Sequence, residues 1–165
     1  MSKITLDLAT TVALTPKTRR WISLAAEVAG NALPPSIRRS TLALTFCGDA
    51  RMRSTNLMHR GKDTTTDVLS FPVQESIRSG KNLDWLAPGQ LALGDLLISV
   101  PRARLQARQF GVSLEEELVH LFFHGFLHLM GFDHEISRRE ELIMQKHEAE
   151  LLEKFAKLRA KRNIK

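Results

Sequence analysis

Residues 113–134 constrain this chain more than any other stretch. Ser113 and Glu116 form a capping-box pattern, and the acids Glu115–Glu117 suit the positive end of a helix. An apolar run follows, and Gly131 provides the stop. The spacing therefore predicts a helix over 113–130. Along it histidines recur every four residues, at His120, His124 and His128, and His134 follows the glycine. Four of the protein's six histidines thus fall within fifteen residues.

His124 and His128, four apart on a helix, lie one above the other on the same face. Two imidazoles so placed can share a metal ion at Zn–N distances of about 2.0–2.1 Å. Gly131 lets the chain turn back, and His134 can then bring a third nitrogen. Three protein ligands leave a position for water, as in catalytic zinc sites and not in closed structural ones. Three neutral imidazoles also leave the ion's charge uncompensated, which favours a lowered pKa for bound water. The competing reading is a set of ordinary helix histidines. It suits one histidine well, but not an i,i+4 pair with a glycine turn and a third histidine. His120 continues the stripe about 80° around the helix from His128, so it is expected in a supporting ring and not as a fourth ligand. Asp133 can transfer a proton, or can equally orient an imidazole or cap the turn. His59 and His147 are expected to be ordinary surface residues. The same histidine spacing occurs in metzincin proteases, which carry a glutamate after the first histidine as general base. Here that position is Gly125, which argues against peptide hydrolysis.

The rest of the chain reads as alternating strands and helices. Strands are expected at Ile4–Leu8, Thr41–Phe46, Asp67–Val73 and Leu91–Ser99. Helices are expected from Thr15 to Gly30, from Asp49 as cap to about His59, from Ser99 to about Phe110, and from Ser137 towards Leu158. Residues 74–90 read as a long loop. No internal repeat or linker is visible. The expectation is a single α+β (mixed α/β) domain over 1–153, with about four strands and five helices, followed by a basic tail over 154–165. The metal site would sit at the end of the helix in the C-terminal half.

The 165 residues carry a net charge of +6, and the distribution is uneven. Residues 1–60 sum to +6, residues 113–153 to −7, and residues 154–165 to +6. A basic surface points to an anionic partner, with nucleic acid the commonest. Arg19, Arg20, Arg38, Arg39, Arg51 and Arg53 can track an RNA backbone, or can be solvated helix-face charges. Cys47 is the sole cysteine, so an internal disulfide is excluded and a reducing cytosol is favoured. No run approaches the ~20 apolar residues of a membrane helix. The first residues lack the apolar core of a signal peptide.

Three segments carry a resemblance. They are Asn56-Leu-Met-His-Arg60-Gly-Lys62-Asp-Thr-Thr-Thr-Asp67-Val-Leu-Ser70-Phe-Pro72, then Leu93-Gly-Asp-Leu-Leu-Ile-Ser99, then His124-Gly-Phe-Leu-His128-Leu-Met-Gly-Phe-Asp-His134. In this order they resemble the YbeY family of bacterial endoribonucleases, the rRNA maturation factors. Thr65 stands where the family usually has proline. The resemblance implies that His124, His128 and His134 bind one divalent metal ion, with zinc the first expectation. It implies that Arg60 lies near that ion and, with His124, serves catalysis. It further implies single-stranded RNA cleavage, 16S rRNA 3′-end maturation, ribosome quality control, contact with the 30S subunit and a cytoplasmic location. Arg60, Lys62, Arg51 and Arg53 are the expected RNA-binding set. Without the resemblance, Arg60 reads more simply as a partner of Asp63 or Asp67. Two other functions stand beside the nuclease: a ribosome assembly factor with a structural metal, and a metalloprotease-like hydrolase.

Overall fold

A computed structural model describes residues 3–34, 37, 39–73, 77 and 91–164. Its four strands are β1 (Lys3–Thr10), β2 (Arg39–Cys47), β3 (Val68–Pro72) and β4 (Leu91–Ser99). They form one sheet in the order β1-β2-β4-β3. β2 pairs in parallel with both β1 and β4, whereas β3 runs antiparallel to β4 at the edge. Parallel neighbours need a crossover, and α1 (Pro16–Ala32) provides it between β1 and β2. α2 (Asp49–Arg60) leads from β2 towards β3. α3 (Val100–Phe110), α4 (Leu114–Leu129) and α5 (Arg138–Lys161) complete the α+β fold that the sequence pattern implies.

Strand alternation sorts the core into two parts. Leu42, Leu44 and Phe46 of β2 face the large core, with Leu93, Leu96 and Ile98 of β4 and the apolar residues of α1, α4 and α5. Cys47, Leu69 and Leu97 face the other way and meet Met52 of α2. Leu93 and Leu96 share a side only because the β2–β4 register shifts, with Thr41 opposite Ala92 but Leu42 opposite Gly94. Gly94 accommodates the shift at φ 138°, where a Cβ would lie 2.2 Å from the Phe71 carbonyl oxygen.

α4 is apolar nearly all round and sits in the middle, against α1, α3, α5, β3 and β4. Caps form where the sequence places them. Thr15, Ser99, Ser113 and Ser137 accept from the backbone N–H of Thr18, Arg102, Glu116 and Glu140. Three local expectations change. Gly30 does not end α1. It is buried inside the helix, which runs to Ala32 and is closed by the Leu33 N–H donating to the Gly30 carbonyl. Asp49 does not cap α2. Gly48 holds the cap position, and the Asp49 carboxylate accepts instead from Ser99 Oγ at 2.7 Å and Thr65 Oγ1 at 3.2 Å.

α5 also passes straight through the boundary expected between residues 153 and 154. Phe155 is buried against Trp21 and Phe123, with ring centroids 5.6 and 6.2 Å away. Arg159 lies over the Trp21 ring, and Arg162 forms a two-pronged pair with Glu27. The segment expected as a loop at 74–90 lies outside the described residues except for Ile77, as does Arg38. Among the described residues no helix is long and apolar enough to cross a membrane.

Candidate metal centre

The last turns of α4 bring His124 and His128 together as their spacing requires. Their Nε2 atoms are 3.2 Å apart. Gly131 then adopts φ 91°, its N–H donates to the His128 carbonyl, and the Phe132 N–H donates to the Leu127 carbonyl. This turn carries His134 back over the helix end. The three rings form a near-equilateral triangle, with centroid separations of 4.8, 5.2 and 5.2 Å. One ligand atom from each lies within 4.8 Å of the others. Tetrahedral ligands at about 2.0–2.1 Å from zinc are roughly 3.4 Å apart, so the His124–His128 pair already has the spacing of a shared ion. Burial pushes the His128 pKa down, and the adjacent His124 and His134 push it the same way. This keeps its ring neutral, the form that binds metal.

Behind the triangle lies a residue that the sequence reading did not find. Glu148 of α5 places Oε1 3.1 Å from His124 Nδ1 and Oε2 3.5 Å from His120 Nε2. The other His120 nitrogen is 3.6 Å from Glu117 Oε1, and the Glu117 side chain is only 5% exposed. Glu117, Glu148 and their charge hold the His120 pKa up at about 10. Burial works to raise the Glu148 pKa, but the contacts with His120 and His124 prevail and hold it near 2. A sequence signal for Glu148 does exist. It falls on the same stripe of α5 as the buried Met144, Leu151 and Phe155, and an acid on an apolar stripe implies a buried partner. His120 thus meets the same carboxylate as His124. Asp133 caps its turn by accepting from the Glu135 N–H at 2.9 Å.

In front of the triangle is a cleft of about 270 Å³, lined among others by Arg60, Asp67, Ser70, His124, His128 and His134. Arg60 is the last residue of α2, which Gly61 ends in the left-handed conformation. Asp63 and Asp67, the acids that the sequence offers Arg60 as partners, are engaged elsewhere. Asp63 takes both prongs of Arg53 at 2.7 Å, and Asp67 accepts from Gln106, Thr66 and the Val68 N–H. Burial works to raise the Asp67 pKa, but these three donors lower it overall. Of the expected RNA-binding set, Arg60 alone is at this cleft among the described residues. Arg53 lines a separate groove with Asp49, Asp63 and Arg102. Arg51 and Lys62 are exposed.

Gly125 lets α4 approach the sheet. A Cβ there would meet Leu96 Cδ2 at 2.8 Å, Val68 Cγ2 at 3.2 Å and Ser70 Oγ at 3.3 Å. Ser70 Oγ donates to the Gly125 carbonyl at 3.4 Å. A side chain at the position of the metzincin base would therefore crowd β3 and β4.

Fold and site together define a small α+β domain with a three-histidine centre at the mouth of a polar cleft. The solution structure of TM1509 from Thermotoga maritima shares this fold at a TM-score of 0.65 and 20% identity, over 95% of this chain and 93% of that one. The family model described as Endoribonuclease YbeY matches residues 7–156. Endoribonuclease YbeY of Leptospira interrogans is 41% identical over 119 residues, which are 68% of this chain and 84% of that protein. The protein of the same name from Exiguobacterium sibiricum is 42% identical over 122 residues, 74% of this chain and 77% of that one. The chain belongs to the YbeY family.

Proposed function

We propose that this protein is a metal-dependent endoribonuclease that hydrolyses phosphodiester bonds in single-stranded RNA. The observation that carries the reading is the meeting of the three-histidine triangle and an arginine free of Asp63 and Asp67 at one cleft. His124, His128 and His134 are the residues that would hold the ion, and their donor set suits zinc. When bound, a divalent ion at this position supplies an activated water and charge stabilisation at the phosphate. Arg60 contributes a planar, permanently charged guanidinium that binds phosphate through two parallel hydrogen bonds. Ser70 and Asp67 fix the cleft wall, Ser70 to α4 and Asp67 to Gln106 of α3. The basic residues of the C-terminal end of α5, with Arg51, Arg53 and Lys62, would guide the RNA backbone.

The biological substrate in this reading is precursor rRNA of the 30S subunit, cut during 16S 3′-end maturation and ribosome quality control. The family membership supports this. A cytoplasmic location accords with Cys47, a free buried thiol whose pKa burial pushes up to about 11. The test is RNA cleavage paired with metal analysis on the wild type, His128→Ala and Arg60→Ala. His128→Ala is expected to lose metal and activity together. Arg60→Ala is expected to keep metal and lose activity. Equal cleavage by all three preparations would identify a contaminant and defeat the reading.

A further inference from the structure

The relatives' name says nothing of how the histidine cluster is supported from behind. We propose that Glu148 is a positioning residue for this site, holding His124 in the tautomer that leaves Nε2 bare, and that His120, clamped by Glu117, holds Glu148 in turn. The proposal rests on reading the triangle as a metal centre, and it follows from four contacts.

An ionised carboxylate can only accept hydrogen bonds. With Glu148 Oε1 3.1 Å from His124 Nδ1, the hydrogen of that ring must sit on Nδ1. A neutral His124 then has its lone pair on Nε2, the atom 3.2 Å from His128 Nε2. Without Glu148 a free imidazole exchanges between tautomers, and one of the two blocks the ligand atom with a hydrogen. Glu148 is not itself a ligand, because it touches the ring nitrogen remote from the triangle. Metal-binding histidines commonly rely on such a carboxylate on their second nitrogen.

Glu148 needs holding as well. It comes from α5, fourteen residues beyond His134 in sequence. Its second oxygen faces His120 Nε2, and His120 Nδ1 faces Glu117. His120 thus stands between the two carboxylates, 3.5 Å from Glu148 and 3.6 Å from Glu117. The anchoring of α5 through Phe155, Arg159 and Arg162 sets where Glu148 stands.

Two measurements test this. The first is 15N NMR of the ring nitrogens in the full-length protein without metal. His124 should be protonated at Nδ1 in the wild type and should become a tautomer mixture in Glu148→Ala. The second is zinc affinity by competition with a chromophoric chelator. Glu148→Ala should bind zinc about ten- to a hundredfold more weakly. Glu148→Gln keeps an accepting oxygen but loses the charge, and should fall between Glu148→Ala and the wild type. If Glu148→Ala does not fold, judged by circular dichroism, the Gln variant decides, and wild-type affinity in it overturns the proposal. A wild type carrying the His124 hydrogen on Nε2, or a folded Glu148→Ala with undiminished affinity, also overturns it. A wild type that binds no zinc defeats the metal reading instead, and the tautomer result then judges the positioning role alone.

Discussion

Behind His124 the polar groups form a closed chain, in which Glu148 meets both His124 and His120, and His120 meets Glu117. In front of the same ring the cleft is open, and Arg60 stands in it with Asp63 and Asp67 bound to other residues. The back is built from two helices, α4 and α5. The front is built from the end of α2, the edge strand β3 and the α4 turn. The contrast separates two tasks. The ring of His124 is braced by a carboxylate that has a second contact of its own. A group that must meet an incoming anion is left free of Asp63 and Asp67, because a guanidinium that either neutralised would have to exchange partners first. Arg53 is the counter-example, since its two-pronged bond to Asp63 occupies its fork.

The front wall should be the easier side to break. Gly94→Ala places a Cβ 2.2 Å from the Phe71 carbonyl, at a backbone angle that side chains avoid. It pries β3 from β4 and should cost upwards of about 4 kcal/mol, read as a lowered midpoint in urea. A variant melting like the wild type would mean that β3 is not held by this pairing. The effect on the back is smaller and depends on pH. His120 is raised in the folded protein from 6.5 to about 10, so its stabilisation is full below pH 6.5 and is lost as pH rises towards 10. Glu148 is lowered from 4.5 to about 2, so its contribution is present above pH 4.5 and is lost as pH falls towards 2. The metal-free protein should therefore draw most from this chain between about pH 4.5 and 6.5. His120→Gln should flatten the decline in melting temperature above pH 6.5. An unchanged slope would show that His120 is not charged there. The smallest effect belongs to Arg53→Ala. Its exposed pair with Asp63 contributes little to folding, so the melting temperature should not move, and RNA cleavage should fall by far less than in Arg60→Ala.

Much of this was legible before the fold was known, and the limits have physical causes. Helix starts at Thr15, Ser99, Ser113 and Ser137 follow from local side-chain-to-backbone bonds, which sequence spacing encodes directly. The histidine triangle is nearly as local, since a helix face and one glycine turn assemble it. Gly30 and Asp49 misled because tertiary partners outcompeted their local preferences. Gly30 is buried within α1, and the Asp49 carboxylate reaches Ser99 and Thr65 instead of its own helix end. Glu148 was missed because its contact joins two helices whose packing no local rule states. The residues after 153 read as a tail because basic charge dominates their composition, whereas Phe155 is buried and continues the stripe of α5.

The division between front and back is tested most directly by cleavage rate against zinc concentration, on the wild type, Arg60→Ala and Glu148→Ala. Arg60→Ala should lower the plateau by about a hundred- to a thousandfold and leave the midpoint where it is. Glu148→Ala should move the midpoint to about ten- to a hundredfold higher zinc. A midpoint shifted by Arg60→Ala, or unmoved by Glu148→Ala, would contradict the account.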